Sequence, residues 1–227
     1  MDPSLFFVGY GKLTDDGYVE ERIQSQQKPI IQNNEVEVIH NTEETVKEED
    51  KADPISLHHG SMVYDQTLMQ LPSKGEDLMF KLHYNSILDY EYTPLGKGWD
   101  HNFNKFLAFS EYDNKLYFGN GNGIPSSFAN AGDNIWKSDA LRATVLKLPN
   151  NDMRMTFTNG GSIRFRPIKL GYQEVMYRPY VITDRNGHTQ FLSWNNDDLL
   201  QSVEDSSGNT INFTYNNDDK LTRVEEI

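Results

Sequence analysis

Residues 184–204 read DRNGHTQFLSWNNDDLLQSVE, and residues 205–225 read DSSGNTINFTYNNDDKLTRVE. With this 21-residue offset Gly187 aligns with Gly208, Trp194 with Tyr215, Asn195–Asp198 with Asn216–Asp219, Leu200 with Leu221 and Val203 with Val224. Self-similarity at a fixed period is the mark of a repeat architecture, in which one unit cannot bury its apolar face alone and stacks on the next. Ile211, Phe213 and Tyr215 alternate with Thr210, Asn212 and Thr214. Period two with β-branched and aromatic residues predicts a half-buried strand. Leu192 and Trp194 hold the matching inward positions of the first unit, which leaves Phe191 facing out or set against a neighbour. Each aromatic runs into Asn-Asn-Asp-Asp, side chains that cap their own backbone and tolerate positive φ, so the chain turns there. Gly187 and Gly208 mark the other turns. Leu200 and Val203, like Leu221 and Val224, lie three apart and break strict alternation. A β-bulge, or a strand that starts only after the Leu, accounts for this.

The same alternation extends upstream. Leu78, Phe80, Leu82 and Tyr84 alternate with Met79, Lys81 and His83, which predicts a strand with one buried face. Gly96 and Gly98 around Lys97 predict a tight loop, and Trp99 follows as a large apolar anchor. Hairpin turns are expected at Tyr112–Asn114 and Asn159–Gly161. No stretch of a dozen residues after position 55 has helical periodicity, so the expected fold is all-β, built from successive antiparallel hairpins in a curved repeat sheet.

The repeats resemble the YD repeat of the Rhs family. The matched positions are Gly187 and Gly208, Trp194 and Tyr215, Asp198 and Asp219, Leu200 and Leu221, and Val203 and Val224. They depart from it at Asn195 and Asn216, where the family has Asp, and in having no Gly-Arg before the Leu. Residues 53–103 resemble the module that opens the β-shell of Rhs proteins. The matching residues are Asp53-Pro54-Ile55 with Gly60, Asp65, Leu71-Pro72, Tyr84-Asn85-Ser86 and a glycine-rich block from Pro94 to Asn102. Pro94, Gly96, Gly98, Trp99, His101 and Asn102 carry that block. The resemblance covers roughly residues 53–227. It implies an opening module over 54–110, a hairpin region over 111–183 and two repeats over 184–227. It also implies a non-catalytic piece of a shell that encloses a C-terminal toxin. The chain stops directly after a strand of the second repeat, so an N-terminal portion of a shell, or a short relative, is expected. An open C-terminal sheet edge would then pair with the rest of the shell or with a partner chain. The alternative is a surface or secreted binding module for carbohydrate or protein on another cell.

Residues 1–34 carry apolar residues around Asp15-Asp16-Gly17, which suggests a short hairpin. Residues 35–53 are acidic and free of aromatic side chains, which predicts a disordered linker, with docking of a chaperone or secretion component as the sharper reading. The net charge of −13 argues against a nucleic-acid partner. No run of apolar residues is long enough to span a membrane as a helix. LFFV lacks the basic flank of a secretory signal, so synthesis in the cytoplasm is expected, with any export by another route. The absence of cysteine rules out disulfides, thiolate metal clusters and a Cys nucleophile.

The histidines invite a metal, but His58 and His59 are adjacent and would point to opposite faces of a strand. No acidic residue stands at zinc-protease spacing from them, from His83 or from His101. His101 is expected to hydrogen-bond its own loop. The Asn/Asp turns lack the spacing of a calcium loop. The glycine run Gly119–Gly123 is followed by Ile-Pro where a phosphate loop needs Gly-Lys-Ser/Thr. No G-x-S-x-G elbow occurs, and nothing singles out a carboxylate pair for glycoside hydrolysis. No cofactor, metal or catalytic residue is therefore assigned.

Overall fold

A computed structural model describes residues 37–39, 55–56, 61–87, 93–122, 125–170 and 174–227. The hairpin expected within residues 1–34 lies outside the described residues. So does the acidic linker, apart from Glu37–Ile39. The described residues contain only strands: β1 Glu37–Ile39, β2 Ile55–Ser56, β3 Ser61–Leu71, β4 Leu78–Asn85, β5 Trp99–His101, β6 Lys105–Ser110, β7 Lys115–Asn120, β8 Ser126–Asn130, β9 Ile135–Ser138, β10 Ala143–Lys147, β11 Met153–Phe157, β12 Ser162–Leu170, β13 Glu174–Thr183, β14 Thr189–Trp194, β15 Leu200–Asp205, β16 Thr210–Tyr215 and β17 Leu221–Glu226.

Strands β6 to β17 form one antiparallel meander in which each strand pairs with the next. Within it the sheet closes on itself, because β13 also pairs with β6 through Met176↔Ala108 and Tyr177↔Leu107. Eight strands, β6 to β13, thus make a barrel. At eight strands the interior is just wide enough for side chains to fill. Leu107, Leu116, Phe128, Val145, Met155 and Phe165 fill it and are inaccessible to solvent. The alternation that points them inward points Lys137, Arg154, Arg164 and Arg166 outward.

β13 is long enough to serve two structures. Its first half closes the barrel, and its last residues, Val181–Thr183, pair with β14. A bulge at Tyr180 separates the halves, where the register with β12 slips between Arg164↔Val181 and Phe165↔Pro179. Pro179, which cannot donate to a ladder, sits at that slip. Beyond it β14 to β17 leave the barrel and lie over a second sheet, β2-β3-β4-β5. One core joins the two layers: Met69, Leu78, Phe80 and Phe103 from one side, and Leu192, Leu200, Val203, Ile211, Phe213 and Val224 from the other. Each fully buried aliphatic or aromatic side chain here stabilises by about 1.5–3 kcal/mol relative to exposure. The alternating strand and glycine-rich loop of residues 78–102 and the two repeats are therefore the two layers of a single sandwich.

Both three-residue spacings resolve as bulges. Ser193 pairs with Ser202 and Trp194 with Leu200, which leaves Gln201 as the extra residue. Thr214 pairs with Arg223 and Tyr215 with Leu221, which leaves Thr222. The bulge lets Leu200 and Val203, and Leu221 and Val224, all face the core. Phe191 faces out, as its parity requires. The C-terminal sheet edge, expected to be open, is instead covered: β17 carries β1 in parallel, with Glu37↔Arg223, Val38↔Val224 and Ile39↔Glu225 in register.

Candidate functional site

The four turns of the repeat region share one geometry. Asp184, Asn195, Asp205 and Asn216 each open a turn, and their side-chain oxygens accept the amides two and four residues on. Their carbonyls accept the amide three residues on, from Gly187, Asp198, Gly208 and Asp219. Those four residues have φ of 89°, 62°, 94° and 59°. This is the three-residue hairpin loop in which a type I turn is followed by a left-handed residue. Asn195 and Asn216 make the same bonds as Asp184 and Asp205, so amide and carboxylate side chains serve the turn alike.

The first of the Asn turns is tied to the barrel. Arg178 lies at the point where β13 passes from barrel to sandwich and is only 3% exposed. Its Nε and Nη2 donate to the Asp198 carboxylate at 2.7–3.0 Å. Its Nη1 donates to Asn104 Oδ1 at 2.8 Å and to the Lys105 carbonyl at 3.3 Å. The guanidinium also lies 4.8 Å from the centre of the Trp194 ring, whose Nε1 donates to the Pro179 carbonyl at 2.7 Å. Burial pushes the Arg178 pKa down and the Asp198 pKa up, and the bidentate pair opposes both shifts. Arg178 thereby joins the start of β6, the barrel wall and the first repeat. The arrangement fixes these three parts of the chain relative to one another.

Beside it lies a second buried charged group. Asp100 accepts from Asn104 Nδ2 at 2.7 Å and from the His101 amide at 2.8 Å, yet burial raises its pKa to about 6. Lys105 donates to the carbonyls of Asn102 and Asn120, and burial lowers its pKa to about 8. His101 departs from expectation. Its imidazole makes none of the loop's hydrogen bonds, its Nδ1 is buried without a partner, and it packs 5.6 Å from the Phe80 ring and 6.4 Å from the Phe213 ring. Burial holds its pKa down to about 3. The loop's hydrogen bonds come from its neighbour instead. Asn102 Oδ1 accepts from the Lys81 amide, and Asn102 Nδ2 donates to the Met79 carbonyl, both at 2.9 Å.

The remaining motif residues are brought together along the sandwich. Gly96 and Gly98 have φ of 91° and 78°, and a Cβ at Gly98 would meet the Tyr84 ring at 2.8 Å. Trp99 packs on Tyr84 with ring centres 5.0 Å apart, and the Asn85 amide donates to the Gly98 carbonyl at 2.8 Å. The Pro94 carbonyl accepts the Leu221 amide at 2.8 Å, and the Thr93 carbonyl accepts from Lys220 Nζ at 3.0 Å, so the glycine-rich block seats the second repeat. Tyr215 Oη donates to the Leu200 carbonyl at 2.8 Å and links the two repeats. At the opposite end Asn209 Nδ2 donates to the Pro72 carbonyl, and Ser73 Oγ lies 2.9 Å from Ser207 Oγ.

His58 and His59 lie outside the described residues. His83 bonds Asp65. Among the described residues no cluster of three or more His, Cys, Asp or Glu is placed to hold a metal. Sequence reasoning missed Arg178, Asn104, Lys105 and Asp100. One signal was present for the first of these, because Arg178-Pro179 interrupts an otherwise apolar strand, VMYRPYVI.

A comparison with curated proteins returns no match. Residues 52–128 match the family described as a domain of unknown function (DUF6531), a match that takes in β2 to the middle of β8 and stops short of Arg178 and both repeats.

Proposed function

We propose that this chain is a non-catalytic wall element of an Rhs-type shell, a scaffold whose job is enclosure and not chemistry. The observation that carries this is the seating of the second YD-like repeat on β4 and the glycine-rich loop, through Leu221 to Pro94, Lys220 to Thr93 and Phe213 against Phe80, with Tyr215 tying it to the first repeat. A sheet that grows by identical bulged hairpins, each closed by the same turn, can be extended unit by unit. The DUF6531 match supports the same conclusion, since that domain is often found in such proteins. The partner is then further wall of the same kind, taking the place of β1 on the edge of β17. Electron microscopy and limited proteolysis of the protein isolated from its native cells test this. Hollow particles that protect an enclosed polypeptide are expected. A free monomer that protects nothing would refute the proposal.

A further inference from the structure

The outer face of the barrel has a charge at odds with the rest of the chain. Residues 131–190, which supply β9 to β14, hold nine Lys and Arg, Arg178 among them buried and paired with Asp198, against five Asp and Glu, a balance of +4 that leaves −17 on the remainder of a chain of −13. On that face Arg154 and Arg164 are direct cross-strand partners, both exposed. Among the described residues neither makes an ion pair. Like charges directly opposite on a sheet are destabilising, and nothing in the fold offsets them. The register row through them runs Leu146, Arg154, Arg164, Val181 and Phe191 across five strands, and it meets an acidic residue only at Glu204 on the next strand. Leu146 and Phe191, 39% and 49% exposed, stand at its two ends. The neighbouring row on the same face is Lys137, Thr144, Thr156, Ser162, Thr183 and Thr189, with a hydroxyl on every strand from β10 to β14.

We propose that this face is a binding site for an acidic polysaccharide that lies across the strands, with Arg154 and Arg164 holding its anionic groups and the row of hydroxyls pairing with its sugar hydroxyls. Guanidinium forks match carboxylates and sulfates in two-point geometry. Adjacent strands stand about 4.8 Å apart, so both rows repeat regularly and suit a polymer better than a single small anion. An acidic polypeptide would use the arginines but leave much of the hydroxyl row idle. A DNA strand would bring phosphates to the arginines but has no backbone hydroxyl to pair with the second row. The site does not depend on whether the chain belongs to a shell.

Fluorescence anisotropy of the full chain with labelled alginate and labelled heparin oligosaccharides tests the proposal. Poly-glutamate of equal charge, a single-stranded oligonucleotide and neutral dextran serve as comparators. One of the two acidic glycans is expected to bind at least tenfold more tightly than every comparator. Arg154→Ser/Arg164→Ser should lose about tenfold or more and should flatten the dependence of log K on log salt. Lys74→Ser/Lys97→Ser, which removes the same charge from exposed loops of the second sheet, should bind as the unaltered chain does. Thr156→Val keeps the shape and removes one hydroxyl, and it should weaken glycan binding while leaving any poly-glutamate binding unchanged. Absence of glycan binding, equal binding by poly-glutamate or the oligonucleotide, or full binding by the arginine variant each overturns the proposal. Both arginines are exposed, so melting curves of the double variant should show no loss of folding.

Discussion

Arg178 is the residue on which the two halves of the molecule depend. Arg178→Ala strands the Asp198 carboxylate in a buried site, and breaking such a pair costs about 3–5 kcal/mol. Urea denaturation should show that loss, and Arg178→Met/Asp198→Asn should recover part of it, because no charge is left behind. If the double variant is no more stable than Arg178→Ala, the pair is not the cause. Asp100 and His101 oppose each other in pH. Asp100, raised from 3.8 to about 6, holds a proton in the folded state that the unfolded chain has released, so its contribution falls as pH rises from about 4 to 6. His101, lowered from 6.5 to about 3, stays neutral where the unfolded chain is protonated, so its contribution falls as pH drops from 6.5 toward 3. Across their overlap the two slopes cancel. Asp100→Asn should therefore make stability fall more steeply with acidification than in the unaltered chain, by up to about 1.4 kcal/mol per pH unit between pH 6 and 4. His101→Phe should shift the slope the opposite way. Thermal melts at half-unit pH steps read both, and parallel profiles for all three proteins would dismiss the opposition.

The hairpin is the element from which the repeat region is made, and its turns test whether repeated sequence means repeated energetics. Asp198 and Asp219 occupy the same left-handed position of the same turn, yet only Asp198 meets an arginine. Asp219→Gly relieves a left-handed non-glycine residue and should raise stability by up to about 1 kcal/mol. Asp198→Gly removes the partner of Arg178 and should cost several kcal/mol. Changes of the same sign and size in chemical denaturation would contradict the assigned roles. Gly121, with φ of 85°, is a different kind of constraint, because a Cβ there would overlap the His101 carbonyl. Its role belongs to the seam between the barrel and the sheet β2-β3-β4-β5 and not to a turn alone.

At the scale of the whole molecule, the barrel and the sandwich share β13, and Ile182 packs against both cores. The outer strand of the sandwich, β17, is covered by β1 in the one parallel pairing among the described strands. An uncovered edge strand is a template for pairing with another chain. Val38→Pro removes an amide and restricts the backbone in the middle of β1. Hydrogen exchange at residues 223–225 should then speed up, and gel filtration should show self-association. Exchange that stays unchanged at those residues would mean that β1 does not guard the edge.

Much of the fold was legible in the residues, because strands and tight turns are set by interactions within a few positions. Period-two alternation marked β4, β14 and β16. Asn, Asp and Gly marked the turns, and the three-residue gap from Leu200 to Val203 marked a bulge. Tertiary structure alone decided what those elements close around. Whether β13 returns to β6 depends on accumulated twist and on interior volume, which no local pattern encodes. His101 shows the limit most plainly. Its position beside two loop-forming residues suggested a hydrogen-bonding role, whereas packing between Phe80 and Phe213 made it a buried neutral ring. The partners of Arg178 come from β6 and from a turn beyond β14, and only the folded chain brings them within reach of one guanidinium.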